Sequence, residues 1–265
     1  MDEHGLARTD TDVSFWFPPF QPIRQGDKGE HARTLQQLCV LSGYGLDLDG
    51  VAGPATFRAL DRIRSCYGLP AGAREVGQDD WMYLCRRLYY AAGEVPTRLI
   101  QPTVGTSALR DLVCWLALRI ADQKPRELLS NLGPWVSFFA HSEQGIAWCA
   151  AFVTQLVTTA WSQLPTWSGC PIRYGTYCPT LAKAAQDAGR YTEDPARARR
   201  GDLILFHPAE GSYKHIGICL SKPDCGAMTV ETIEGNTNEE GSYEGTVVAR
   251  KIRGLNGKAY ILLCR

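Results

Sequence analysis

The sequence predicts an α+β protein, with helices first and an antiparallel sheet after them, preceded by a smaller helical domain. Up to about Gly189, apolar residues recur at steps of three and four, the period of amphipathic helices. Beyond it the period falls to two, in short β-rich runs that suit a meander of strands. Between the helical domain and the rest lies a stretch, 94–106, that carries Pro96 and Pro102 and has no periodicity. The 265 residues are enough for one large domain or two ordinary ones.

Composition excludes several classes. Twenty-eight basic residues balance 28 acidic ones, so nothing favours a nucleic-acid partner. No apolar run approaches the roughly 20 residues that span a bilayer, so no membrane partner is expected. The opening Met1-Asp2-Glu3-His4-Gly5 lacks the basic and apolar regions of a signal peptide, so the chain is expected to be made in the cytoplasm. Ten cysteines look like a disulfide set by count, but most fall on apolar faces and no CxxC pair exists, which favours reduced thiols. Cys170 with Cys178, or Cys219 with Cys225, has the wrong spacing for zinc.

Residues 1–20 form a polar lead ending in Phe15-Trp16-Phe17-Pro18-Pro19-Phe20, read as an arm packed on a domain because so much exposed aromatic surface is costly. Three helices follow in 21–93. The first, about 29–42, buries Leu35, Leu38, Cys39 and Leu41 and stops at Gly43. The second opens at Gly53-Pro54, proline standing in its tolerated first-turn position, and buries Phe57, Leu60, Ile63 and Tyr67 before Gly68. The third starts at Gln78-Asp79-Asp80, acids at the positive helix end, and carries Trp81, Leu84, Cys85 and Leu88.

This stretch resembles the peptidoglycan-binding domain 1 family of three-helix modules. The matching residues are Gly26-Asp27-Lys28-Gly29, Leu35-Gln36, Gly43-Tyr44, Asp49-Gly50-Val51-Ala52-Gly53, Thr56, Ala59-Leu60, Gly68-Leu69, Val76-Gly77, Trp81 and Leu84. Ala52 stands where the family usually has phenylalanine, and Ile63-Arg64 where it has a Phe-Gln pair. The resemblance implies binding to peptidoglycan.

After the linker, a helix from Thr106 carries Leu109, Leu112, Val113, Leu116 and Ile120. Asn131-Leu132-Gly133-Pro134 reads as a turn into a helix bearing Trp135, Val136, Phe138 and Phe139. A helix then opens at Cys149, and a short one after Pro179 stops at Gly189. Strands are expected at 202–207, 216–220, 228–233, 246–252 and 259–264.

Cys149 carries the chemical signal. Phe152, Val153, Leu156, Val157, Ala160 and Trp161 continue a helical stripe from it, while Ser142-Glu143-Gln144-Gly145 upstream is loop chemistry. A thiol in the first turn faces unpaired N–H groups and the positive end of the helix dipole, both of which favour thiolate. The other nine cysteines read as small core residues.

A thiolate hydrolase needs an imidazole and a third polar group that fixes it. His4 lies in the lead, His31 on an exposed helix face, His141 in a loop or helix end, and His207 before Pro208. His215 opens the Ile216-Gly217-Ile218 strand, on the face shared by Gly217 and Cys219. The next strand ends in Glu234-Gly235-Asn236, and neighbouring strands bring side chains to about 5 Å. One ring nitrogen is thus expected to face Cys149 and the other Glu234 or Asn236.

From about 107 to 265 the chain resembles the CHAP domain, a family of cysteine- and histidine-dependent amidohydrolases and peptidases of the papain-like clan. The resemblance rests on Gly145-Ile146-Ala147-Trp148-Cys149-Ala150-Ala151-Phe152-Val153, Gly201-Asp202-Leu203-Ile204-Leu205-Phe206, His215-Ile216-Gly217, Thr232-Ile233-Glu234-Gly235-Asn236-Thr237-Asn238, Gly241-Ser242, Gly245 and Tyr260-Ile261-Leu262. It implies Cys149 as nucleophile, His215 as general base and acid, and Glu234 with Asn236 orienting the ring. It further implies Gln144 as an oxyanion donor beside the Cys149 N–H, and Trp148 as a substrate-binding residue.

Together the two resemblances imply a wall-binding module tethered to a wall-cleaving one, which raises local substrate concentration without new catalytic contacts. The expected activity is hydrolysis of a peptidoglycan amide, in the peptide stem or cross-bridge or at the muramoyl–L-alanine bond, without metal or cofactor. The expected role is that of a phage endolysin let out by a holin-type partner, or of an exported antibacterial toxin restrained by an immunity protein. Action would then be at the wall or in the periplasm. Two rivals are a wall-binding protein with a dead cysteine domain, and a papain-like peptidase or transferase acting on proteins.

Overall fold

In the computed structural model, residues 15–93, 107–164, 170–206, 212–238, 240 and 244–264 are described. Its helices are α1 (Glu30–Leu41), α2 (Pro54–Cys66), α3 (Gln78–Leu84), α4 (Arg86–Ala92), α5 (Ser107–Ala121), α6 (Pro134–Phe139), α7 (Cys149–Ser162) and α8 (Cys178–Asp187). Its strands are β1 (Tyr191–Thr192), β2 (Leu203–Phe206), β3 (His215–Cys219), β4 (Thr229–Thr237), β5 (Val247–Gly254) and β6 (Lys258–Ile261). The α+β class read from the sequence holds, and no helix among the described residues is long and apolar enough to cross a membrane.

The chain divides into two compact units, Trp16–Gly93 with Glu127–Gly145, and Met1–Phe15, Glu94–Arg126 and Ile146–Arg265. The division differs from the sequence reading in two places: the arm is divided between Phe15 and Trp16, and 127–145, with α6, joins the N-terminal unit. Its aromatic residues explain why, because Phe138 meets the edge of Phe17 at 5.7 Å and accepts the Trp16 N–H at its carbonyl.

In the N-terminal unit, Leu35, Leu38, Cys39, Phe57, Leu60, Ile63, Trp81, Leu84 and Leu88 are buried, as helical spacing requires. Gly29 precedes α1 at φ 112°, a left-handed turn that glycine takes without strain. The third helix read from sequence is two, α3 and α4, meeting at Cys85 (φ −84°, ψ −1°). The aromatic arm packs as expected: Pro18 accepts from Trp81 Nε1 at 2.8 Å, and Phe17 stacks on Tyr89 at 4.6 Å.

Both departures noted at Arg64 and Ala52 have a place in this unit. Arg64 is 3% exposed and its guanidinium donates to Asp80 from Nε and Nη2 at 2.8 and 2.7 Å, and to the carbonyls of Ala73 and Glu75 at 2.8 Å. A single side chain thus ties α2 to α3 and to the loop between them. Gln36 does the same for the Asp49–Gly50–Val51 turn, donating to Asp49 Oδ1 and Val51 O and accepting from Gly50 N. Ala52 is fully buried beneath that turn.

In the C-terminal unit a six-stranded antiparallel sheet has the order β1-β6-β2-β3-β4-β5. Four consecutive strands form the expected meander, and β6 returns to pair on the outer side of β2. Helix α7 packs against β3, β4 and α5. Every residue from Cys149 to Ala160 is buried, so α7 is a central helix rather than one with a single apolar stripe.

Asp202 locks the unit together. Its fully buried carboxylate accepts from Arg110 Nε and Nη2 at 2.7 and 3.0 Å, from Arg199 N and from Leu263 N at 2.9 Å. These bonds join α5, the turn before β2 and the end of the chain. Gly201 beside it sits at φ 90°, and a Cβ there would lie 2.4 Å from that of Arg110. Only glycine lets α5 approach so closely.

Candidate active site

Cys149 is the first residue of α7, with Trp148 at the N-cap. Its position leaves the first-turn N–H groups of a 14-residue helix around the thiol. His215 is the first residue of β3, paired with Phe206 of β2, whose ring lies 5.2 Å away at a tilt of 53°. Electrostatics couples the two: hydrogen bonding and charge interaction with the His215 ring lower the Cys149 thiol, and the same interaction raises His215.

Glu234 completes the chain of contacts. The Nε2–H of His215 donates to Glu234 Oε2 at 2.9 Å, with both side chains fully buried. Ring nitrogen Nδ1 therefore remains for the thiol side. Register explains the reach: Ile218 pairs with Ile233 and Cys219 with Thr232, so Gly217 falls opposite Glu234. A Cβ on Gly217 would come within 2.7 Å of Glu234 Cγ. The missing side chain lets the carboxylate lie across β3 towards the ring, two residues along on the same face.

Two residues that sequence reasoning missed hold Glu234. Arg253 of β5 donates from Nε to Oε1 at 2.8 Å and from Nη2 to Oε2 at 2.5 Å. The Thr232 hydroxyl donates to Oε1 at 2.5 Å. The Arg253 guanidinium also covers the Phe206 ring at 5.1 Å. Alternation does place Thr232 and Glu234 on one face, but nothing in the sequence marks Arg253 among the several cations of β5.

The electrostatics follow from these partners. The Cys149 thiol lies well below its ordinary range, held there by a hydrogen bond from Cys178 and then, against the cost of burial, by the His215 ring and the Ile216 N–H. Burial alone would lower His215, but its bonds to Cys149 and Glu234 and their negative charges lift it to about 9. Burial would raise the Glu234 carboxyl, yet Arg253, His215 and Thr232 hold it at about 2. These shifts favour a thiolate and an imidazolium beside a carboxylate and a guanidinium, in alternating sign. The core thiols Cys39, Cys85 and Cys114 shift the other way, pushed up by burial to about 12, 12 and 11.

Of the remaining expected residues, Asn236 is buried 2% exposed at φ 54°, in the irregularity between Glu234 and Thr237 where the β4–β5 register shifts. The contact that sets the His215 ring falls to Glu234. Gln144 belongs to the N-terminal unit, where its Oε1 accepts the Gly133 N–H at 3.0 Å. Trp148 requires a correction. Its indole is fully buried, and a Cβ on Gly235 would meet it at 2.9 Å and Phe152 at 2.8 Å, so it packs between α7 and β4 rather than facing substrate. His31 is exposed, His141 lies at φ 50°, and His4 and His207 lie outside the described residues.

All ten cysteines are free thiols. Cys178, read from sequence as a core residue, is indeed buried, but its Sγ lies 3.8 Å from that of Cys149. Comparison with protein-family models, with curated proteins and with solved structures finds no match. The functional reading therefore stands on this site and on the motifs in the chain.

Proposed function

We propose that the protein is a cysteine hydrolase that cleaves an amide of peptidoglycan, with Cys149 as nucleophile, His215 as general acid and base, and Glu234 orienting His215. The single observation that carries this reading is the Cys149–His215–Glu234 relay, in which one thiol of ten is driven towards thiolate beside a raised imidazole. Such poised pairs cluster at functional sites. The motif resemblances to CHAP and peptidoglycan-binding families supply the substrate class.

The geometry supports a definite sequence of steps. The Cys149 thiolate attacks the amide carbonyl, and the N–H groups of the first α7 turn are placed to stabilise the oxyanion. His215 gives its proton to the leaving amine, which departs as the C–N bond breaks and leaves a thioester. His215, now neutral, takes a proton from water; the hydroxide attacks the thioester, and the acid and thiolate are released. Glu234 keeps Nε2–H engaged throughout, which fixes the ring and leaves Nδ1 to exchange protons. Asn236 as a second orienting group belongs to this proposal. So do wall binding by 21–93 and a role as phage endolysin or exported antibacterial toxin with an immunity or holin-type partner.

One observation favours a second reading, in which the thiol site is structural. Cys149 is 2% exposed and His215 is fully enclosed, so substrate entry requires the covering chain to move. A single assay separates the readings. Purified sacculi are digested with wild type and with Cys149→Ala, and the soluble muropeptides are weighed by mass spectrometry. New free amines at one stem or bridge position, absent with the variant, support hydrolysis and name the bond. Identical profiles favour the structural reading.

A further inference from the structure

Cys178 begins α8, with Pro179 next to it in the first turn. The preceding loop is pinned to α7 one turn beyond Cys149: Thr154 Oγ1 bonds both backbone groups of Gly175, the carbonyl at 2.9 Å and the N–H at 3.2 Å. That clamp sets the Cys178 Sγ 3.8 Å from the Cys149 Sγ, with Cys178 4% exposed. Hydrolysis as described needs no second thiol there. A buried alanine or valine would fill such a place without the chemical reactivity.

We propose that Cys149 and Cys178 are a modification site, forming a reversible disulfide when hydrogen peroxide oxidises Cys149, with Cys178 as the resolving thiol. This rests on the reading of Cys149 as a reactive thiolate.

The thiolate attacks one peroxide oxygen, the O–O bond breaks, and the departing hydroxide takes the His215 proton as water. Cys149 is then a sulfenic acid. Cys178 attacks that sulfur, the S–O bond breaks, and the second hydroxide leaves as water with the Cys178 proton. Two thiols have lost two electrons and the peroxide has become two waters.

Geometry and charge favour the second step. The sulfurs must close from 3.8 Å to about 2 Å, a movement within reach of side-chain rotation. Before oxidation, the bond to Cys149, burial and the Cys149 charge keep Cys178 protonated. Oxidation removes the charge and the bond together, so Cys178 becomes a better nucleophile as its target appears. The disulfide blocks the nucleophile yet shields it from sulfinic acid, which reducing agents do not reverse.

The test treats the full chain with hydrogen peroxide, caps remaining thiols with iodoacetamide and maps peptides without reduction. A Cys149–Cys178 linked peptide that disappears with dithiothreitol is expected, with Cys178→Ser instead accumulating sulfinic acid at Cys149 that dithiothreitol leaves in place. Sulfinic acid at Cys149 in wild type without a link, or a link from Cys149 to another cysteine, overturns the proposal. The wild-type map decides even if the variant folds poorly. If the link forms and neither the oxidised nor the reduced protein cleaves sacculi, the redox site stands and the hydrolase reading fails.

Discussion

His215 Nε2 and Glu234 Oε2 lie 2.9 Å apart with no surface of either side chain exposed. The carboxylate is the anchor of the site, because Arg253 and Thr232 hold its oxygens while it holds the ring. Substituting it should therefore disturb proton transfer before it disturbs binding. Glu234→Gln is expected to lower kcat/KM by about 100-fold or more, the scale of general acid–base catalysis. The alkaline limb of the pH profile, set in wild type by His215 near 9, should move towards the ordinary histidine value of 6.5 as the negative charge is lost. An unchanged limb would show that Glu234 does not govern the ring.

Gly217 tests the same contact from the other strand. A Cβ there would press on Glu234 Cγ at 2.7 Å. Gly217→Ala should displace the carboxylate, lowering kcat/KM by about 100-fold while costing about 1–3 kcal/mol of stability. Near-wild-type turnover with unchanged stability would mean that the space above Gly217 is not required.

Arg253 pairs with a carboxylate that is wholly buried, its own side chain being 14% exposed. Arg253→Met should destabilise the C-terminal unit by about 3 kcal/mol at neutral pH, the low end for breaking a buried pair. The Glu234 folded value of about 2 lies below the ordinary 4.5, so its contribution is present above about 4.5 and is lost as pH falls through 2. The gap between variant and wild type should shrink over that window in urea unfolding. A gap independent of pH would place the effect in packing on Phe206 instead.

Much of this site could be read from the chain. Cys149 stands where loop chemistry meets a helical period, and His215 where a strand period begins, so local pattern alone placed both. The choice between Glu234 and Asn236 could not be read, because both fall on one face of β4 and the β3–β4 register that puts Gly217 opposite Glu234 is not encoded by alternation. Cys178, Thr232 and Arg253 reach the site through tertiary packing and strand pairing. The same limit applies to the fold. The elements followed the apolar periods closely, but the break at Cys85 and the grouping of 127–145 with the N-terminal unit arise from packing between distant segments.

The N-terminal unit offers an independent check on its core. Arg64 and Asp80 keep 4% and 6% of their side-chain surfaces exposed, and two carbonyls depend on the same guanidinium. Arg64→Met should cost about 3–5 kcal/mol by stranding Asp80. A loss under about 1 kcal/mol by urea unfolding, the scale of an exposed ion pair, would contradict the role given to Arg64.

Ionisation of Cys149 beside a protonated His215 is read without intermediaries from the thiolate ultraviolet absorbance as a function of pH. Subtracting the Cys149→Ala titration from that of wild type leaves the Cys149 thiolate and the shift it imposes on Cys178, without any reagent having to reach either. One equivalent of thiolate is expected to persist well below pH 9, and its titration to move upward in His215→Ala. A difference curve that rises only near the ordinary thiol value of 9 would contradict it.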